Sequence, residues 1–184
     1  ISDSLFIEGF AYGNLRAETV REAAKVLREK LGGKILPEVN RFLGSVRQLP
    51  QGKSHTFTRK MQVENSALVT DVQVGQRSPK LQAALMVIDN LMQPQFYNEL
   101  RTSQQLGYIV NSGMTVLKKT LGLIFIIQSG EYNTVALEQR MEAFLAKFYS
   151  SLKNLTDQEL NKIKKSVLHS KLQKSTSVTC LLYT

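Results

Sequence analysis

The sequence predicts an α+β fold, a two-layer sandwich with helices on one face of a mixed or antiparallel sheet. Three observations point there. The β-prone runs arrive in pairs between stretches of helical periodicity, which favours antiparallel or mixed pairing over an alternating parallel sheet. The run 122–128 is apolar on both faces, as a central strand is. Leu137, Met141, Phe144, Leu145, Phe148 and Leu152 form the strongest helical stripe in the chain, suited to covering a sheet. With 184 residues, 42% of them hydrophobic and 21% charged, the chain can bury a core without disulfides or metals. No linker separates two full domains, so residues 1–184 are expected to form one domain.

Each element follows from local pattern. Residues 5–10 alternate as a strand, which Gly13-Asn14 ends. Val20, Ala23, Ala24, Leu27 and Leu31 predict a helix over 17–31, stopped by Gly32-Gly33. Residues 32–54 read as irregular, punctuated by Pro37, Gly44, Pro50 and Gly52. Two strands are expected at 55–61 and 67–74, joined by a turn at Glu64-Asn65-Ser66. Ser78-Pro79 supplies an N-cap and an N1 proline for a helix whose inner face carries Leu81, Leu85, Ile88 and Leu91. Pro94 is expected to break that helix, leaving a short one over 95–105. Gly107 permits a reversal into a strand over 108–116, followed by the central strand and the helix of the long stripe. Thr156-Asp157-Gln158-Glu159 is a capping box that opens a basic helix.

The formal charge of +9 is unevenly spread. Residues 1–60 carry 11 basic and 6 acidic side chains, residues 61–152 carry 7 of each, and residues 153–184 carry 6 and 2. The C-terminal excess falls on Lys162, Lys164, Lys165, Lys171 and Lys174 and reads as the solvated side of a helix. Without interleaved aromatics it lacks the stacking platform of a single-strand binder, so no nucleic-acid partner is expected. The longest apolar run, 121–127, is far short of a membrane span, and no membrane partner is expected. A soluble protein is expected, in the cytoplasm or the bacterial periplasm, with the sequence leaving the compartment open. Residues 1–15 lack a basic n-region and there is no initiator Met, so the chain is expected to be a piece of something longer.

Catalytic machinery is not visible in the chain taken alone. Neither His55 nor His169 sits in an HExxH or HxxEH spacing. Cys180 has no histidine base nearby, one thiol is too few for a thiolate metal site, and no phosphate loop follows Gly32-Gly33. One segment is denser in polar and aromatic groups than packing requires: Phe96-Tyr97-Asn98-Glu99-Leu100-Arg101-Thr102-Ser103-Gln104-Gln105-Leu106-Gly107-Tyr108. Phe96 and Leu100 would anchor the buried side of a helix, turning Arg101 to its rim. The reversal at Gly107 would bring Tyr108 back beside it. A guanidinium fork and a phenol so placed suit peptide carbonyls or a developing oxyanion. The competing reading has Arg101 neutralising the helix C-terminus and Tyr108 packing with its hydroxyl satisfied.

The same segment closely resembles a signature in the C-terminal half of the pitrilysin and insulin-degrading-enzyme (insulinase) family, zinc metallopeptidases with an inverted HxxEH motif. Phe6-Ile7-Glu8-Gly9, Gly13-Asn14-Leu15, Gln93-Pro94, Phe125-Ile126-Ile127-Gln128-Ser129 and Arg140-Met141-Glu142-Ala143-Phe144-Leu145 fit as well. The likeness covers nearly the whole chain and is weaker at 32–60 and past about 172. It implies a fourth-domain-like, C-terminally truncated, non-catalytic domain of the LuxS/mitochondrial-processing-peptidase type that helps enclose a substrate chamber, with residues 1–4 as residual linker from the domain before it. It further implies that Arg101 contacts substrate backbone, that Tyr108 binds substrate and stabilises the tetrahedral intermediate, and that zinc belongs to the parent enzyme, with no metal ligand in this fragment. The fragment alone would be inactive, with peptide substrates and the N-terminal half of its own parent as partners and self-association through exposed apolar faces. The alternative is a degenerate member acting as a peptide-binding or assembly module. The sequence departs from some members at Ser103-Gln104, where they carry Lys-Glu or Glu-Glu.

Overall fold

The computed structural model describes residues 4–37 and 45–173. The described residues divide into two compact units, the first containing residues 4–37 and the second residues 45–172. In the first unit, β1 (Ser4–Leu5) pairs in parallel with β2 (Lys34–Ile35), and α1 (Ala17–Leu31) lies between them in sequence. Among the described residues the strand expected over 5–10 is confined to its first residue, since its ladder partner β2 is two residues long; Phe6, Ile7 and Phe10 remain exposed.

The second unit holds β3 (Ser66–Gln76), α2 (Pro79–Phe96), a π-helical turn (Tyr97–Ser103), β4 (Ile109–Leu117), β5 (Thr120–Ser129), α3 (Thr134–Leu152) and α4 (Asp157–Leu172). The three strands form an antiparallel sheet in the order β3-β5-β4, so the doubly apolar run is central as its pattern predicts. Leu121, Leu123, Phe125, Ile127 and Ser129 alternate onto one face of β5. Val110 and Ser112 of β4, opposite Ile127 and Phe125, continue that face, as do Leu68 and Thr70 of β3. Met92 and Phe96 of α2, Leu100, and Leu137, Met141, Phe144 and Phe148 of α3 close over it. At the centre Phe96 meets Phe125 at 5.6 Å and Phe144 edge-on at 5.2 Å. The architecture is therefore α+β with helices layered on one sheet face.

Helix ends form as the residues dictate. Ser78 Oγ accepts the Leu81 N–H at 3.2 Å, with Pro79 at N1. Asn133 Oδ1 accepts the Ala136 N–H at 2.9 Å to start α3. Glu159 closes the capping box with Thr156, accepting its N–H at 2.9 Å and its hydroxyl at 2.7 Å. His169 lies exposed on α4, and Cys180 falls outside the described residues.

Two expectations are corrected. Residues 55–61 form no strand. Beside β3 the neighbouring segment is held by a side chain and not by a ladder: Gln73 accepts the Leu49 N–H at 2.9 Å and donates to the Arg47 carbonyl at 3.1 Å. Phe57 is left 89% exposed. Pro94 does not break α2, which runs through it to Phe96. A proline inside a helix costs about 3 kcal/mol, whereas each fully buried apolar side chain contributes roughly 1.5–3 kcal/mol. Met92, Phe96 and Leu100, all 0–1% exposed, together outweigh it.

Asp89 of α2 faces β4, accepting the Met114 backbone N–H, while its Oδ1 is buried without a partner. Burial pushes its carboxyl above the usual range against the pull of that hydrogen bond. A raised folded pKa means the folded state binds the proton more tightly, so this group adds stability as pH falls through that pKa, levelling off below the unfolded value. Asp89→Asn should abolish that acid-side gain, read as the difference between the two proteins' urea midpoints across pH. In the core, Phe125→Ala should cost about 3–5 kcal/mol in urea unfolding. Phe57→Ala should stay within about 0.5 kcal/mol of the parent.

Candidate functional site

The site grows out of the last turn of α2. Tyr97 N–H points to both Gln93 and Pro94 carbonyls, and the backbone then widens: Gln104 N–H bonds to Glu99 C=O at 2.9 Å, five residues back. Ser103 Oγ donates to the Asn98 carbonyl at 3.1 Å across the same interval. Wide turns of this kind are rare and concentrate at functional positions. Leu100, fully buried, roots the turn in the core, and Arg101 beside it emerges half-buried at the rim.

The chain then reverses through three residues with separate tasks. Gln105 takes the left-handed conformation (φ 51°). Leu106, 1% exposed, donates its N–H to the Leu100 carbonyl at 3.0 Å and plugs the core. Gly107 lies so close to β5 that an added Cβ would sit 1.8 Å from the Gln128 carbonyl oxygen. The reversal thus uses glycine for close approach, and the positive φ belongs to Gln105.

Tyr108 follows, 85% exposed, with the Arg101 guanidinium carbon 5.9 Å from its ring centroid. The two residues singled out from the sequence are therefore neighbours. At this outer limit and exposure the cation–π attraction is worth roughly 0.5–1 kcal/mol, enough to bias Arg101 toward the ring. A guanidinium stacked this way keeps its N–H edges available. Tyr97, Arg101, Thr102 and Gln105 line a shallow depression alongside.

α3 grips this turn from the side. Lys147 Nζ lies 2.8 Å from Glu99 Oε2, and Arg140 Nη1 donates to Gln104 Oε1 at 3.1 Å. Gln104 Nε2 reaches back to Glu99 Oε1 at 3.4 Å. The Lys147 hydrogen bond holds the Glu99 carboxyl below its ordinary range, against a desolvation penalty. Sequence reading assigned no task to Glu99, Gln104, Arg140 or Lys147. The one available signal was the polar density of 97–105, since a contact across 36 or 48 residues leaves no local periodicity.

His55 lies elsewhere, in a broad cleft beside the edge of β3 that Arg59 and Gln73 also line. Among the described residues no group of three His, Cys, Asp or Glu side chains could hold a metal ion, and no helix is long and apolar enough to cross a membrane.

Residues 87–180, which take in the π-helical turn, Tyr108, both strands that follow and α3, match the family described as PQQ synthase PqqF-like, C-terminal lobe domain 4. The chain belongs to this family and is a C-terminal domain of the insulinase type. It is 24% identical over 186 residues to the nardilysin-like protein of Arabidopsis thaliana, covering 97% of this chain and 18% of that one. It is 27% identical over 187 residues to the putative zinc protease mug138 of Schizosaccharomyces pombe, covering 97% and 19%. The crystal structure of pitrilysin aligns with a TM-score of 0.65 at 23% identity, over 93% of this chain and 18% of that one, a likeness of fold. The chain spans about a fifth of the length of these relatives.

Two outcomes test this geometry. Gly107→Ala should cost about 1–3 kcal/mol through overpacking, whereas Gly113→Ala, whose Cβ meets nothing within 4 Å, should cost little; urea unfolding separates them. Because the Glu99 pKa is lowered, whatever the Lys147 tether contributes is present above the ordinary carboxylate range and disappears as pH falls through the lowered value. The Glu99 carboxylate carbon shift, followed by NMR, should titrate at a higher pH in Lys147→Ala than in the parent.

Proposed function

We propose that this chain is the non-catalytic C-terminal domain of a zinc metalloendopeptidase, where it helps enclose the substrate chamber and offers Arg101 and Tyr108 to the bound peptide. The observation that carries the reading is their juxtaposition on a rigidly seated reversal, within a family whose relatives include a putative zinc protease. Zinc in the parent would be held by residues outside those described here, which supply no ligand group.

Arg101 presents N–H donors suited to peptide carbonyls, fixing substrate backbone in both ground and transition state. Tyr108 presents one neutral O–H donor. Aimed where an oxyanion develops, such a donor is worth about 3 kcal/mol and acts only as charge builds. The two residues therefore divide the work, with Arg101 binding and orienting and Tyr108 stabilising. Peptide substrates and the N-terminal half of the parent are the partners this reading requires. Exposed Phe57, Met61 and Val63 offer apolar surface for association between copies of the fragment.

In the full-length protein, Tyr108→Phe should lower kcat by about 10²–10³ with KM nearly unchanged. Arg101→Ala should act more on KM. Hydrolysis of a quenched fluorescent peptide measures both. Unchanged kcat in Tyr108→Phe removes the transition-state role. No hydrolysis and no zinc in the unaltered full-length protein would instead identify a degenerate peptide-binding or assembly module.

A further inference from the structure

We propose that Lys147 and Arg140 of α3 are positioning residues that hold Arg101 against Tyr108 by clamping the π-helical turn at two points. The two cations are seven residues apart, two turns of helix, and so share one face of α3. They take hold of Glu99 and Gln104, which bracket Arg101 in the turn, at 2.8 and 3.1 Å. The Gln104-to-Glu99 bond at 3.4 Å closes the circuit. Beneath the turn, Leu100 and Leu106 seat its backbone in the core. The clamp acts from the side, on the two surface residues that flank Arg101.

Ion pairs this exposed add little to stability; the side chains of Lys147 and Glu99 are 70% and 33% exposed. What the clamp fixes is geometry. A rocking turn would swing Arg101 away from a Tyr108 ring already 5.9 Å distant, near the limit of their attraction. One jaw closes with a neutral amide, Gln104, and the other with a full ion pair.

The proposal rests on the peptide-contact reading only in its last step, and the experiment separates the two. The full-length protein carries 3-fluorotyrosine at position 108, and its fluorine resonance is followed together with KM for a quenched fluorescent peptide. Lys147→Glu should shift the resonance and raise KM roughly tenfold, within the coupling typical of one hydrogen-bonded network. The swap Glu99→Lys with Lys147→Glu should restore both, which a general loss of stability would not do. An unmoved resonance in Lys147→Glu, or a swap that restores nothing, overturns the clamp. A resonance that shifts and returns while KM stays constant supports the clamp and overturns the peptide contact.

Discussion

Everything at the candidate site depends on how β5 receives the two ends of the segment that carries it. Phe96, wedged between Phe125 and Phe144, pins the last α-helical turn to the middle of the strand. Gly107 pins the far end three positions along, with no room for a Cβ over Gln128. Between these points the chain has a fixed span to fill. It does so with a widened turn rooted by Leu100, a left-handed residue at Gln105 and a core plug at Leu106. Arg101 and Tyr108 emerge from the two sides of that construction, which sets them within reach of one another.

Burial also explains why a proline is tolerated one turn before the site. Pro94 withdraws a helical donor, and an isolated helix would end there. With Met92, Phe96 and Leu100 all seated on the sheet, the helix continues, and Gln95 Nε2 adds a bond to the Leu91 carbonyl at 3.0 Å. The charges nearby divide by environment. Asp89, facing β4, is pushed toward its neutral form by burial, while Glu99 at the surface is held ionised by Lys147.

Much of this was legible in the sequence, and the misses share a cause. Period-2 and helical patterns located β4, β5, α2 and α3, and the cap signals at Ser78 and Thr156 formed as read. The density of polar and aromatic groups over 96–108, with the family resemblance it carries, led to Arg101 and Tyr108. What local pattern could not reveal was decided by distant contacts. Gln73 of β3 holds residues 47 and 49 through its side chain and 55–61 joins no ladder; β1 pairs only over the two residues of β2; Glu99 and Gln104 acquire their tasks from residues 48 and 36 positions away. Gly107 was singled out for a permissive φ, and the structure requires it for space instead.

The central claim is that the surface formed by Arg101 and Tyr108 touches the peptide. Site-specific photo-crosslinking tests it most directly, with benzoylphenylalanine at position 108 of the full-length protein and a biotinylated peptide as the captured species. Lys164 on α4 serves as the control position. The account predicts peptide adducts at 108 that unlabelled peptide competes away, and none above background at 164. Equal labelling at the two positions, or adducts at 108 that excess peptide does not displace, would contradict it.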